Sequence, residues 1–212
     1  MPERLLPIAP EGWPFILVPL GVALALVLGG WTRVAALIAV VAAFMAFFFR
    51  DPERVAPAVS GAILAPADGR VVDVRAVVAD PFVGAAWRVS IFLSPLDVHV
   101  NRAPIGGLVA EVQYRPGRRA AAYRSEASEL NERTSVALQG ETARVVVRQI
   151  AGVLARRIVC RVRPGDKLVA GQRFGLIKFG SRTDLIVPAS ARLRVVVGDH
   201  VRGGETVVGV LS

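Results

Sequence analysis

Gly165-Asp166-Lys167-Leu168-Val169-Ala170-Gly171 and Gly198-Asp199-His200-Val201-Arg202-Gly203-Gly204 share the pattern G-D-x-[L/V]-x-x-G, and an apolar, strand-like run follows each. Glycine supplies the positive-φ positions of a tight turn, and the aspartate side chain caps the turn on its backbone N–H groups. A further turn, Ala65-Pro66-Ala67-Asp68-Gly69, leads into the run that begins Arg70-Val71. Between such turns the chain reads as short β-rich runs: Arg70–Val78, Trp87–Leu93, Leu108–Tyr114, Thr134–Leu138, Ala143–Ile150, Arg157–Val162, Arg173–Phe179, Leu185–Val187, Arg192–Val197 and Thr206–Leu211. Runs of this length and spacing predict a mainly β, antiparallel domain. Ala120–Glu132 is the least strand-like stretch and is expected to be a loop with a helical turn.

The repeated turn is similar to the hairpin grammar of barrel-sandwich hybrid folds, the lipoyl and biotinyl type. G-D turns occur throughout β proteins, so the repeat speaks to fold class alone. In front of the domain the pattern changes. Gly12 to Thr32 carries no charged residue, nor does Val34 to Phe49, and only Arg33 separates the two stretches. At about 1.5 Å per residue they reach roughly 30 Å and 24 Å, against a hydrocarbon core of about 30 Å. Two runs in succession exceed a signal peptide, and Glu3 and Glu11 dilute the basic start that one needs. Gly29-Gly30-Trp31-Thr32-Arg33 suits a tight hairpin, and Trp13 and Trp31 fit interfacial aromatics. Residues 1–54 are therefore expected to form a membrane anchor, with apolar helices at about 13–31 and 34–49, and a linker around Asp51-Pro52-Glu53-Arg54. Residues 55–212 are expected to form the β domain. The Arg-rich body follows the second run, which places it on the cytoplasmic side of the cell membrane.

Charge is unevenly distributed. Four arginines and four acids cancel within residues 1–54, so the whole net charge of +9 lies on residues 55–212. A positive body beside a bilayer is drawn to an anionic membrane surface, by about 1 kcal/mol per well-placed basic residue. Nucleic acid is the rival partner for a basic domain, but no motif for it appears and aromatics make up only 7% of the chain. The single cysteine, Cys160, rules out an internal disulfide framework and any multi-cysteine metal site, and no metal is expected. Within Ile158-Val159-Cys160 it reads as a small buried hydrophobe.

The chemistry centres on Gly180-Ser181, the only Gly-Ser pair in the chain. A glycine carbonyl, with no Cβ beside it, is open to attack and tolerates a strained backbone. Attack by the Ser181 hydroxyl on the Gly180 carbonyl turns the amide into an ester. β-Elimination then cuts the chain and leaves dehydroalanine, which hydrolyses to a pyruvoyl group. Alone the dipeptide is a weak signal, because most Gly-Ser pairs are plain turns.

Its context is specific. Phe179-Gly180-Ser181-Arg182-Thr183-Asp184, Ala65-Pro66-Ala67-Asp68-Gly69, Leu93-Ser94-Pro95-Leu96-Asp97-Val98-His99-Val100-Asn101-Arg102-Ala103-Pro104 and Asn131-Glu132-Arg133 stand in the order found in one family. Over about residues 60–190 the chain resembles the phosphatidylserine decarboxylase family in its short, two-span form. The resemblance implies cleavage between Gly180 and Ser181 into a β chain (1–180) and an α chain (181–212) that stay together as a heterodimer. It implies a covalent pyruvoyl cofactor derived from Ser181, whose ketone forms a Schiff base with the amine of phosphatidylserine and takes up the electrons as carbon dioxide leaves. Phosphatidylethanolamine is then the product. Asp68 matches the aspartate assigned to self-processing, and His99 the first histidine of the S-P-x-D-x-H block.

The chain departs from the family's long form at one position. Where that form carries a second histidine, this chain has Arg102, which stays protonated and is no general base. His99 is therefore expected to serve both processing and decarboxylation, with Asp68 acting on Ser181 as the alternative, and Arg102 to bind a substrate carboxylate or phosphate. Asp97 is expected to order the loop around His99, while Arg118, Arg119 and Arg124 form either a phosphate-contacting rim or a solvated face. Archaetidylserine decarboxylase is the near rival reading, because the lipid tails are not legible. A non-enzymatic membrane adaptor or carrier is the distant one, and neither lysine, Lys167 or Lys178, sits in a carrier-type turn.

Overall fold

Two segments of very different composition fold as two compact units, residues 1–53 and 54–212. The computed structural model describes residues 7–118, 130–152, 157–178 and 181–211, with Ser181 described by its backbone. In the first unit, α1 (Trp13–Leu28) is shorter than the uncharged run that encodes it, while α2 (Thr32–Phe48) begins two residues before the second run, taking in Arg33, and ends one residue short of it. Gly30, at φ 82°, turns the chain between them. Their shared side is built from Ile16, Ala23, Ala35 and Ala42, small residues that let helix backbones approach. Leu24, Leu28, Leu37 and Val40 point outward and are exposed. The helical stretch Pro10–Leu28 is long and apolar enough to cross a membrane, and Thr32–Phe48 is a shorter apolar helix.

The second unit is built mainly of strands among the described residues. Its strands are β1 (Ala62–Leu64), β2 (Gly69–Asp80), β3 (Gly84–Leu93), β4 (Val100–Arg102), β5 (Gly107–Arg115), β6 (Arg133–Gln139), β7 (Arg144–Ala151), β8 (Arg157–Cys160), β9 (Lys167–Leu168), β10 (Arg173–Lys178), β11 (Ser181–Pro188), β12 (Arg192–Leu193), β13 (His200–Val201) and β14 (Val207–Val210). An eight-stranded sheet in the order β13-β2-β3-β11-β7-β6-β5-β9 curls into a half-barrel, and the sheets β1-β14-β12 and β4-β10-β8 complete the unit. Alternation decides which side chains face the core. Val89 and Ile91 of β3, Leu185 and Val187 of β11, and Val145 and Val147 of β7 meet Ile63, Phe174 and Val208 from the smaller sheets. The expected class, a mainly β, hybrid-barrel-like domain behind an apolar helix pair, is the fold observed.

The repeated turns have a topological use. Asp166 Oδ2 accepts the Arg163 N–H at 2.8 Å, and Asp199 Oδ2 accepts the Val196 N–H at 2.9 Å. Each turn then delivers a two-residue edge strand: β9 pairs with β5 on one edge of the large sheet, β13 with β2 on the other. The two turns meet, since a Cβ on Gly171 would lie 3.5 Å from the Gly204 carbonyl oxygen. One device therefore finishes both edges and brings them together.

Local reading and structure differ in places. The run at Arg192–Val197 forms a strand only over Arg192–Leu193, with one more bond from Arg194 N–H to the Val208 carbonyl at 2.8 Å, because Val196 N–H is already committed to capping the second G-D turn. The strand expected at Leu185–Val187 extends back to Ser181. Arg182, Thr183 and Asp184 disguise it in the sequence as a polar loop, yet each is at most 1% exposed. Strands β1, β4, β9 and β13, of two or three residues each, are too short to register as patterns. Most of Ala120–Glu132, with Arg119 and Arg124, lies outside the described residues.

Gly69 opens β2 at φ 140°, where a Cβ would sit 2.1 Å from the Phe92 carbonyl oxygen. Gly69→Ala is expected to destabilise the domain by about 3 kcal/mol or more. Thermal unfolding of the purified variant, read beside the parent, measures this.

Candidate active site

One loop and the first residue of β11 come together at one end of the large sheet. The loop 94–99 leaves β3 after Leu93, the register partner of Ser181, and reaches His99, whose carbonyl accepts the Ile177 N–H at 3.2 Å. Its two ends therefore meet the described ends of β10 and β11, between which Gly180 lies in the sequence. Gly180 falls outside the described residues. Ser181 pairs with Leu93 on one side and Ala151 on the other, so the first residue of β11 is held on both flanks.

His99 is 2% exposed. Its Nδ1 lies 2.9 Å from the Asp97 carbonyl oxygen, which only accepts, so Nδ1 carries the proton and the lone pair of the neutral ring is on Nε2. Asp97 Oδ2 in turn accepts from Ser94 N–H at 2.8 Å and Ser94 Oγ at 2.7 Å. Asp97 thus fixes the loop from which His99 projects.

Asp68 sits at the same end of the sheet. Gly69 and Arg70 of β2 stand against Phe92 of β3, which on its other side pairs with Arg182 of β11. Two strand spacings, roughly 10 Å, separate the β2 and β11 backbones. Asp68 Oδ2 accepts from Arg54 Nη2 at 2.7 Å, and Oδ1 accepts from Arg54 Nη1 and from Gly203 N–H at 2.9 Å.

A buried amide joins these pieces. Asn101, fully buried, donates through Nδ2 to Thr183 Oγ1 at 3.1 Å and to the Pro66 carbonyl at 3.4 Å, while its Oδ1 accepts from Gln149 Nε2 at 2.9 Å. Asn101 is two residues past His99, Thr183 two past Ser181, and Pro66 two before Asp68. The three expected residues thus belong to segments drawn together around a side chain to which the sequence reading gave no role. Gln149 was missed as well, though it carries a signal: it occupies a core-facing position of β7 in line with Val145 and Val147. A polar residue on the inward phase of a strand needs a partner.

On the opposite face of β11, Arg182 Nε donates to Asp184 Oδ1 at 2.7 Å and Nη2 to Ser90 Oγ at 2.6 Å. Asp73 lies 3.8 Å from Arg182 and 3.4 Å from Arg88. These buried charges fix the strand immediately after the Gly-Ser pair.

Arg102 is 2% exposed and donates through Nη1 to the Gly171 carbonyl at 3.2 Å, while Gly204 packs against its Cδ. It stands where the two edge turns meet. Arg118 is exposed and bridges to Asn131. His200 is exposed beside Arg70, on the edge strand. Among the described residues no cluster of His, Cys, Asp or Glu could hold a metal. A cleft of about 580 Å³, lined among others by Val59, Ile105, Gly140, Glu141, Val169 and Leu211, contains none of the candidate residues.

The family model described as phosphatidylserine decarboxylase matches residues 41–209. The chain is similar to the phosphatidylserine decarboxylase proenzyme of Geotalea uraniireducens, at 41% identity over an alignment of 214 positions that spans 100% of both chains. It is 47% identical to the proenzyme of Symbiobacterium thermophilum, over 96% of this chain and 95% of the relative. With that of Chlorobium phaeobacteroides it shares 47% over 81% and 80% of the two chains.

Asn101→Ala strips partners from Thr183 and Gln149 inside the core. It is expected to cost about 1–3 kcal/mol, read from chemical unfolding of variants that also carry Ser181→Ala, so that all are compared uncut. Burial pushes the Cys160 thiol up, against a weaker opposing hydrogen bond with the Val162 backbone. A raised thiol pKa leaves less thiolate at any pH below it, so alkylation at pH 8, followed by mass spectrometry, is expected to run slower than for free cysteine.

Proposed function

Because the chain belongs to the phosphatidylserine decarboxylase family, we propose that it is a self-cleaving decarboxylase that converts phosphatidylserine to phosphatidylethanolamine and carbon dioxide, with its reactive carbonyl made from Ser181. The observation that supports this reading is where Ser181 stands: it opens β11, after the passage from β10, beside its register partner Leu93, and the loop that leaves Leu93 ends in His99, whose carbonyl accepts the Ile177 N–H of β10.

The chain around that passage suits a cut. β10 keeps its ladders to β4 and β8, while β11 keeps those to β3 and β7. Further along residues 181–212, β13 pairs with β2 and β14 with β1. After cleavage the α chain therefore stays bound to the β chain through four strands of the latter, which supports a non-covalent heterodimer.

In self-processing, His99 Nε2 takes the Ser181 hydroxyl proton as the oxygen adds to the Gly180 carbonyl, and the C–N bond breaks to leave an ester. Loss of the Ser181 Cα proton then expels the Gly180 carboxylate, and hydrolysis of the resulting dehydroalanine releases ammonia. Asp68, with three donors on its two oxygens and about two strand spacings from β11, is a fixed anionic anchor for the site. Proton transfer falls to His99, whose imidazole is suited to it near neutral pH.

The same end of the sheet suits a carbonyl group at residue 181: its strand is pinned on both flanks, and His99 stands on the loop opposite. A pyruvoyl ketone there supplies an electron sink for the carboxylate's electrons once it is joined to the substrate amine. His99 is positioned to return a proton to the substrate carbon after carbon dioxide departs. Arg102, enclosed and bonded to the Gly171 carbonyl, supports a bracing role between the edge turns better than the substrate contact expected for it. The apolar helix pair supports attachment to the membrane, and the basic excess of residues 55–212 a cytoplasmic position facing anionic lipid.

Denaturing gels and intact mass test the reading directly. The wild type is expected to yield an α fragment of 32 of the 212 residues, about 3 kDa of the 22.6 kDa, with a blocked N-terminus. Ser181→Ala should remain one chain, and borohydride should abolish decarboxylation by the cut enzyme. Fully active protein found as one intact chain contradicts the proposal. His99→Ala is expected to slow cleavage by about 10²-fold or more, and cleavage at the normal rate would assign the base elsewhere.

A further inference from the structure

Arg54 is the first residue of the β unit, and composition alone reads it as the end of a charged linker. Its side chain is only 7% exposed, although it lies in a segment with no regular structure. The guanidinium presents both terminal nitrogens to Asp68, one to each carboxylate oxygen, and Nη1 also donates to the Gly203 carbonyl at 2.6 Å. Gly203 returns its own N–H to Asp68 Oδ1. Arg54, Asp68 and Gly203 therefore form a closed ring of hydrogen bonds.

The backbone around the ring leaves little slack. Gly203 lies flat on the turn, with a hypothetical Cβ 3.0 Å from Ala67 Cα, and Gly69 abuts the Phe92 carbonyl on the other side. Backbone packing thus fixes where Asp68 sits, while the direction of its carboxylate depends on Arg54. Two of its three donors come from that one side chain. A planar fork holds two oxygens in one plane, which an ammonium on a flexible stem does not.

We propose that Arg54 is a positioning residue for self-cleavage: it aims and balances the Asp68 carboxylate, so that maturation depends on the residue that joins the N-terminal helical segment to the β domain. The inference rests on the reading that Asp68 serves self-cleavage. Arg54 acts through Asp68. Its loss leaves a carboxylate with a single backbone donor at the end of β2, free to rotate.

The test follows the half-time of cleavage of the full chain, synthesised in vitro with phospholipid nanodiscs. Arg54→Ala is expected to slow cleavage about tenfold to a hundredfold, Arg54→Lys to lie between it and wild type, and millimolar methylguanidinium to restore part of the alanine variant's rate. The same substitutions in a Ser181→Ala chain report on folding by thermal unfolding, since none of those chains is cut. Cleavage of Arg54→Ala at the wild-type rate overturns the proposal. So does a slow rate that neither lysine nor methylguanidinium relieves, because that is the behaviour of a residue needed only for folding. Asp68→Asn separates the two levels. If it fails to cleave while Arg54→Ala cleaves normally, only the role of Arg54 falls; if it cleaves normally, the role of Asp68 falls and this one with it.

Discussion

The structure of the β domain turns on how a long curled sheet ends. An open edge presents unpaired N–H and C=O groups, which proteins must cover or cut short. Here both edges end in two-residue strands delivered by the same glycine–aspartate turn, and those turns pack against each other at Gly171 and Gly204. Arg102 lies across the junction, bonded to one turn and packed on the other. The Pro66–Gly69 turn is held against this seam, since Gly203 bonds Asp68 and the Arg102 N–H bonds the Pro66 carbonyl at 2.9 Å. The closure that removes the edges therefore also places a carboxylate.

From that closure follows the distribution of polar groups inside the domain. A core lined by Val, Ile and Leu admits Asn101, Gln149 and Thr183 because each finds a partner among the others or on the backbone. Unpaired, each would carry a desolvation penalty of about 1–3 kcal/mol, a sizeable share of a domain's net stability. Paired, they bind the β4, β7 and β11 segments to the turn that carries Asp68. The segments around Asn101 are thus held by a buried amide network and by the Arg182–Asp184 pair on the other face of β11. Those restraints tie β11 to β3, β4 and β7, and none of them runs through the link between residues 180 and 181.

Much of this was visible in the sequence and some was not, for identifiable reasons. The S-P-L-D-V-H run marked His99, and the structure adds how Asp97 holds the loop. The polar run Arg182-Thr183-Asp184 hid the start of β11, because Arg182 is buried against Ser90 and Thr183 against Asn101, both distant in sequence, and Asp184 is buried with Arg182. Arg54 looked like linker charge, since its partners lie 14 and 149 residues away. Arg102 was expected to meet substrate, and its enclosure became apparent only once the two edge turns were seen to meet around it.

The sequence by itself determined the β class, the turns that punctuate it, the apolar helix pair and the Gly-Ser pair where chemistry is expected. Each is written in neighbouring residues, as a period of two, a glycine at positive φ, an uncharged run or a dipeptide, so local physics suffices to read it. Tertiary structure alone decided that the loop 94–99 runs from the register partner of Ser181 to a bond with Ile177, that Asn101 ties three segments together, and that Asp68 is gripped by Arg54 and Gly203. Those facts depend on strand register and on contacts between residues up to 149 positions apart. No local pattern encodes such pairings, because they exist only after the sheet has curled and its two ends have met.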